Sequence, residues 1–90
     1  MTKLTENQIN HRISLLNEAL EIVKRKTKTA IRSGLKEMAA KPGVPGDLKK
    51  LLNKASYHAG IGKMRSFIIR PLQHKLDELE NDLTKDQVEE

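Results

Sequence analysis

Eight positions, Ile9, Ile13, Leu16, Leu20, Val23, Thr27, Ala30 and Gly34, are apolar or small and follow one another in alternating steps of four and three. A strand alternates every two residues; steps of three and four mark one face of a helix with coiled-coil spacing. Leu15, Ile22, Ile31, Leu35 and Met38 widen that face. Thr5-Glu6-Asn7-Gln8 reads as a capping box at its start, with Leu4 placed to staple back onto Ile9. The pattern predicts one helix from Glu6 to Ala40, about 52 Å long. Its stripe is a seam for another helix. The seam ends in Thr27, Ala30 and Gly34, so the tightest approach is expected there. Gly34 costs about 1 kcal/mol relative to alanine inside a helix, which implies a packing reason for it.

Lys41-Pro42-Gly43-Val44-Pro45-Gly46-Asp47 is the clear breaker, and Asp47 suits the N-cap of the next helix. Leu48, Leu51, Leu52, Ala55 and Ala59 then share a helical face. Counting out from Val44 sets Gly34 opposite Lys54 and Ala55, and Ala30 opposite His58 and Ala59, small against small. Met64, Phe67, Ile68, Leu72, Leu76, Leu79 and Leu83 resume helical spacing after Gly60-Ile61-Gly62. Pro71 falls inside that run and predicts a kink or boundary. The fold class is all-α, with two topologies open. One is a long antiparallel αα-hairpin with its Pro/Gly turn at 42–46 and its second arm bent near Gly60–Gly62 and Pro71. The other is a three-helix bundle with a full turn at Gly60–Gly62. Residues 1–84 form one domain, and 85–90 read as a frayed tail.

How such a chain fills its core decides whether it needs a partner. Among 90 residues there is one Tyr, one Phe and no Trp, so 12 Leu, 7 Ile, 3 Val, 3 Met and 6 Ala must supply the core. A two-helix hairpin buries little with these, which predicts self-association, as a homodimer, into a helical bundle. Cysteine is absent, which excludes disulfides, thiol catalysis and cysteine-ligated metal. No apolar run approaches the roughly 18 residues of a membrane span. The opening residues lack the apolar core of a signal peptide, so the expected location is cytoplasmic, away from membranes.

Charge is distributed unevenly. Residues 21–70 carry 13 basic and 3 acidic groups, whereas residues 71–90 carry 2 basic and 7 acidic groups. Lys24, Lys28, Arg32 and Lys36 are four apart along the first helix, with Arg25 beside them. Lys50, Lys54 and Tyr57 or His58 share a face of the second arm, and Lys63 extends the basic region. Clustered cations of this kind neutralise phosphates with little dependence on base sequence. Lys24, Arg25, Lys28, Arg32, Lys36, Lys50, Lys54 and Lys63 are the candidate nucleic-acid-binding residues. The shortage of aromatics argues against a single-strand stacking platform, so duplex DNA or structured RNA is the expected ligand.

The competing expectation is a protein–protein interaction module, an adaptor, inhibitor or immunity-type factor, that meets a protein with an acidic surface. Tyr57, Phe67, Ile68 and Ile69 are its candidate partner-binding residues, because three consecutive apolar residues exceed what one amphipathic stripe needs. Gly60-Ile61-Gly62-Lys63 resembles a fragment of a phosphate loop, but Met64 stands where such a loop needs Ser or Thr. A helix-turn-helix over Leu48–Arg70 would have its second helix cut short by Pro71. His74 lies four residues before Glu78, a pairing that more simply serves a helix surface. No nucleophile sits with a base at recognisable spacing, so no enzyme activity, metal or cofactor is expected.

Overall fold

Thr5 opens the first helix as a capping box. Its amide donates to Gln8 Oε1 at 2.9 Å, and the Gln8 amide donates to Thr5 Oγ1 at 3.2 Å. The computed structural model describes the backbone of residues 4–63 and 65–88, and the side chains of 4–63 and 65–83. Among these residues there are four helices: α1 (Glu6–Val23), α2 (Lys28–Ala40), α3 (Gly46–Gly60) and α4 (Arg65–Val88). The tail expected to fray, 85–90, lies outside the described side chains.

The expected continuous helix from Glu6 to Ala40 is therefore two helices. α1 ends on a tight turn in which the Lys24 and Arg25 amides donate to Glu21 O and Ile22 O, both at 3.1 Å. Thr27 is not part of the seam. It takes an extended backbone and caps α2, its Oγ1 accepting from the Ala30 amide at 3.1 Å. Arg25 and Arg65 hold the turn. Arg25 Nη1 donates to Ala30 O at 3.3 Å, and Arg65 Nη2 donates to Arg25 O at 2.5 Å. Four basic residues within Lys24–Lys28 would repel along a continued helix; the turn spreads them.

α2 then runs back along α1, and Lys41 reaches Glu18 at 3.2 Å. The 42–46 breaker turns the chain again, with Gly43 at φ 84°. The N-cap of α3 is Pro45, not Asp47, because the helix already begins at Gly46. Asp47 sits in the first turn and pairs with Arg12 of α1 instead. Gly60–Gly62 is a full turn. Gly62, at φ 77°, donates its amide to Ala59 O at 3.1 Å, and Lys63 donates to His58 O at 3.0 Å. That pair of bonds is a Schellman closure, which the left-handed glycine permits. α4 returns along α3, so Lys75 faces Asp47 at 3.9 Å. It runs through Pro71 without a boundary. Pro71 and Phe67 are both exposed, so the Phe67 carbonyl that loses its donor lies on the solvent side of the helix.

The result is an up-down-up-down bundle, 45 × 25 × 20 Å, in which α2 packs mainly on α3 and α1 mainly on α4. Neither the two-arm hairpin nor the three-helix bundle describes it, since both the 24–27 and the 61–63 segments turn the chain. The apolar ladder still marks the core. Ile9, Leu16 and Val23 are buried, with Ile13 and Leu20 packed partly against them. Leu35, Met38, Leu48, Leu52, Ile68 and Leu72 complete a centre without aromatics. Gly34 does not face Lys54 and Ala55. A Cβ there would stand 2.6 Å from Ile22 Cγ2, so its close approach is to α1. One chain supplies four helices to this core. No helix among the described residues is long and apolar enough to cross a membrane.

Candidate polyanion-binding face

Folding sorts the charges by layer. Between Lys24 and Lys63 there are eleven Lys and Arg against two carboxylates. Neither carboxylate faces outward from the α2–α3 pair. Glu37 turns to the α1 side of α2, where it lines a groove with Glu18 and Glu21. Asp47 is engaged at the opposite end of the bundle from the 24–27 turn. Its Oδ1 and Oδ2 accept from Arg12 Nη1 at 2.6 and 2.7 Å. This hydrogen bond, with the attraction of the Arg12 charge, holds the Asp47 carboxyl below its ordinary value; the Asp47 backbone and Lys75 add to the effect, and partial burial opposes it.

On α2, Lys28, Arg32 and Lys36 recur every fourth residue and form a row about 12 Å long. The row lies on the α3 side. A Cβ on Gly60 would touch the Arg32 stem at 2.9 Å, and one on Gly62 would lie 3.9 Å from Lys28 Nζ. Gly60 thus leaves room for the Arg32 stem, while a Cβ on Gly62 would make only ordinary contact with Lys28. Lys50 and Lys54 stand on the outer face of α3, where Tyr57 comes next at helical spacing. All five cations are exposed. Among the described residues, none of Lys28, Arg32, Lys36, Lys50, Lys54 and Lys63 makes an ion pair with a carboxylate.

Two of the eight sequence candidates leave this row. Lys24 caps α1 and pairs with Glu21 at 3.3 Å, and Arg25 is spent on the turn. The turn in exchange brings Arg65, which sequence spacing does not connect to Arg25 or Lys28, to the same end of the bundle. The basic concentration therefore lies at the end carrying the 24–27 and 61–63 turns. Carboxylates of α4, Asp77 to Asp82, lie toward the other end.

The four apolar partner candidates do not form one patch. Ile68 is 1% exposed and belongs to the core. Phe67 and Ile69 flank it on opposite sides of α4, because two residues advance a helix by about 200°. Phe67 lies beneath Lys63, whose Nζ is 5.9 Å from the ring. Tyr57, at 63% exposed, has Ile61 for a neighbour, at 52%. The i, i+4 spacing of these two was readable in the sequence, but Gly60 and Gly62 around Ile61 obscured it.

The phosphate-loop fragment is the Schellman turn. The helix-turn-helix reading meets α4 lying back along α3 and uncut by Pro71. His74 Nε2 lies 3.7 Å from Glu78 Oε1, and no group of three His, Cys, Asp or Glu among the described residues is placed to hold a metal. His11 Nε2 lies 3.2 Å from Gly43 O, in reach of a hydrogen bond between the start of α1 and the 42–46 turn. No family model, curated protein or solved structure matches the chain.

Proposed function

We propose that the protein is a non-enzymatic nucleic-acid-binding protein of accessory or regulatory role, gripping the phosphates of duplex DNA or structured RNA with its α2–α3 face. The observation that carries this reading is the segregation of charge: exposed cations on α2, α3 and the α3–α4 turn, and no carboxylate facing out among them. Lys28, Arg32 and Lys36 contact one backbone, and Lys50, Lys54 and Lys63 extend the footprint. Sedimentation of the free protein distinguishes the expected homodimer from a single chain as the unit that binds.

The test is fluorescence anisotropy with labelled duplex DNA and hairpin RNA between about 50 and 200 mM salt. Six phosphate contacts on duplex DNA correspond to a log–log slope of about −5. Changing Lys28, Arg32 and Lys36 to Glu should abolish binding while leaving helicity intact. Survival of binding in that triple variant removes this face from the function.

A second reading is a protein–protein interaction module that docks on a protein with an acidic surface, and the exposed pair Tyr57 and Ile61 beside Lys50 and Lys54 favours it. Tyr57→Ala with Ile61→Ser should then weaken capture of that partner with little change in melting temperature. Under the first reading the same change leaves nucleic-acid affinity within about threefold, since neither side chain neutralises a phosphate.

A further inference from the structure

Where the 24–27 and 61–63 turns meet, the end of the bundle is open. A cavity of about 300 Å³ lies between the starts of α2 and α4 and the end of α3. Its floor is aliphatic, made by the buried side chains of Ile31, Ala59 and Ile68. Its rim holds three cations, Lys28, Lys63 and Arg65, and no carboxylate lines it.

Three features make this rim more than an ordinary charged surface. First, Lys28 and Arg65 are the first residues of their helices, and neither α2 nor α4 has an acidic residue in its first turn. A cation at a helix N-terminus opposes the helix dipole, and an anion there is stabilised by it. Second, Arg65 lines the cavity and is anchored there, Nη2 donating to Arg25 O at 2.5 Å. Third, the Gly62 and Lys63 amides are used to close α3, so the adjoining carbonyls of Ala59 and His58 are satisfied and do not compete for the cations.

We infer that this cavity is a phosphomonoester site. Three cations around one small opening match a dianion better than the single charge of a phosphodiester, and a phosphomonoester carries nearly two negative charges at neutral pH. A chain end or a free monoester also enters a half-enclosed cavity more readily than a continuous backbone does. The site rests on the phosphate-binding reading for its nucleic-acid form, a strand with a terminal phosphate, but not for its small-molecule form.

The experiment tracks the amide resonances of the full ¹⁵N-labelled chain. Adenosine 5′-monophosphate should shift the Gly62 and Lys63 amides saturably, and adenosine should bind at least tenfold more weakly. Lys28→Gln together with Lys63→Gln should lower the monophosphate affinity at least tenfold, with the rest of the spectrum and the melting temperature unchanged. Equal responses to monophosphate and adenosine, or an unaffected double variant, overturn the site. A second arm compares one duplex with and without a 5′-phosphate. Tighter binding of the phosphorylated duplex, lost in the double variant, identifies nucleic-acid ends as the source. Equal binding of the two duplexes alongside a monophosphate response identifies a free monoester. Absence of binding by either duplex, with the monophosphate response intact, overturns the nucleic-acid reading and keeps the cavity.

Discussion

Replacing Gly34 by alanine sets two effects of similar size against each other. In the interior of α2 the change gains about 1 kcal/mol of helix propensity. The new Cβ, however, stands 2.6 Å from Ile22 Cγ2 and 2.8 Å from Arg25 Nη1. Arg25 is exposed, and moving its far end aside gives up one surface hydrogen bond, to Ala30 O. Ile22 is 7% exposed and packed in the core. Its methyl is about 0.8 Å inside the 3.4 Å at which ordinary contact begins, and forcing an extra methyl into a packed core costs about 1–3 kcal/mol. The net expectation is a loss of about 1 kcal/mol, or about 4–8 °C in melting temperature for a domain of this size. Thermal denaturation monitored by circular dichroism reads it. Ile22→Ala removes the clashing methyl, so in that background Gly34→Ala should be neutral or stabilising by up to about 1 kcal/mol. A higher melting temperature for Gly34→Ala in the native background refutes the argument that the approach of α1 to α2 requires glycine.

Thr27→Ala removes the cap of α2 and should cost about 1 kcal/mol, while Thr27→Asp keeps it; denaturant unfolding of the two variants side by side decides. Asp47→Asn should cost about 0.5–1 kcal/mol at neutral pH, a surface-level figure because the carboxylate is half exposed. The native Asp47 carboxyl titrates below its unfolded value, so its contribution is full above the ordinary aspartate range and is lost as pH falls through the native value. The stability of Asp47→Asn should accordingly fall less steeply below about pH 4 than that of the native chain; identical acid limbs would remove the Arg12–Asp47 pair from the account. Ile68→Ala should cost about 2–5 kcal/mol and Phe67→Ala less than about 0.5 kcal/mol, adjacent residues separated by burial alone; chemical denaturation of both variants gives the comparison.

Much of the fold was legible because helical periodicity is a local property. The capping box, the 42–46 turn and the buried ladder Ile9, Leu16, Val23 all arise from residues within a few positions of one another. The break at Lys24–Thr27 was not legible for a physical reason. It contains no glycine or proline, its threonine fits a seam as well as a cap, and part of its support, the Arg65 guanidinium, comes from forty residues away. Missing that break displaced the rest. It merged α1 with α2 and turned Gly34 toward the wrong helix. Pro71 sets no helix boundary despite its strong local signal, because the freed carbonyl lies on the solvent side. Of the candidate site, the row Lys28, Arg32, Lys36 and the pair Lys50, Lys54 came from spacing alone. The meeting of Lys28, Lys63 and Arg65 required two turns to be placed in space.

The pairing of α2 with α3 and of α1 with α4 also orders the folding of the chain. α2 and α3 are joined by five residues and meet as soon as that short loop closes. α1 finds its main partner only after α2, α3 and their turns have been made, because α4 is the last helix of the chain. Loop-closure entropy favours the local pair first, which predicts a transition state with α2 and α3 paired and α1 and α4 docking later. During synthesis the face of α1 bearing Ile9, Ile13 and Leu16 therefore waits longest for cover. The ribosome exposes that stripe while the cationic hairpin beside it is already formed.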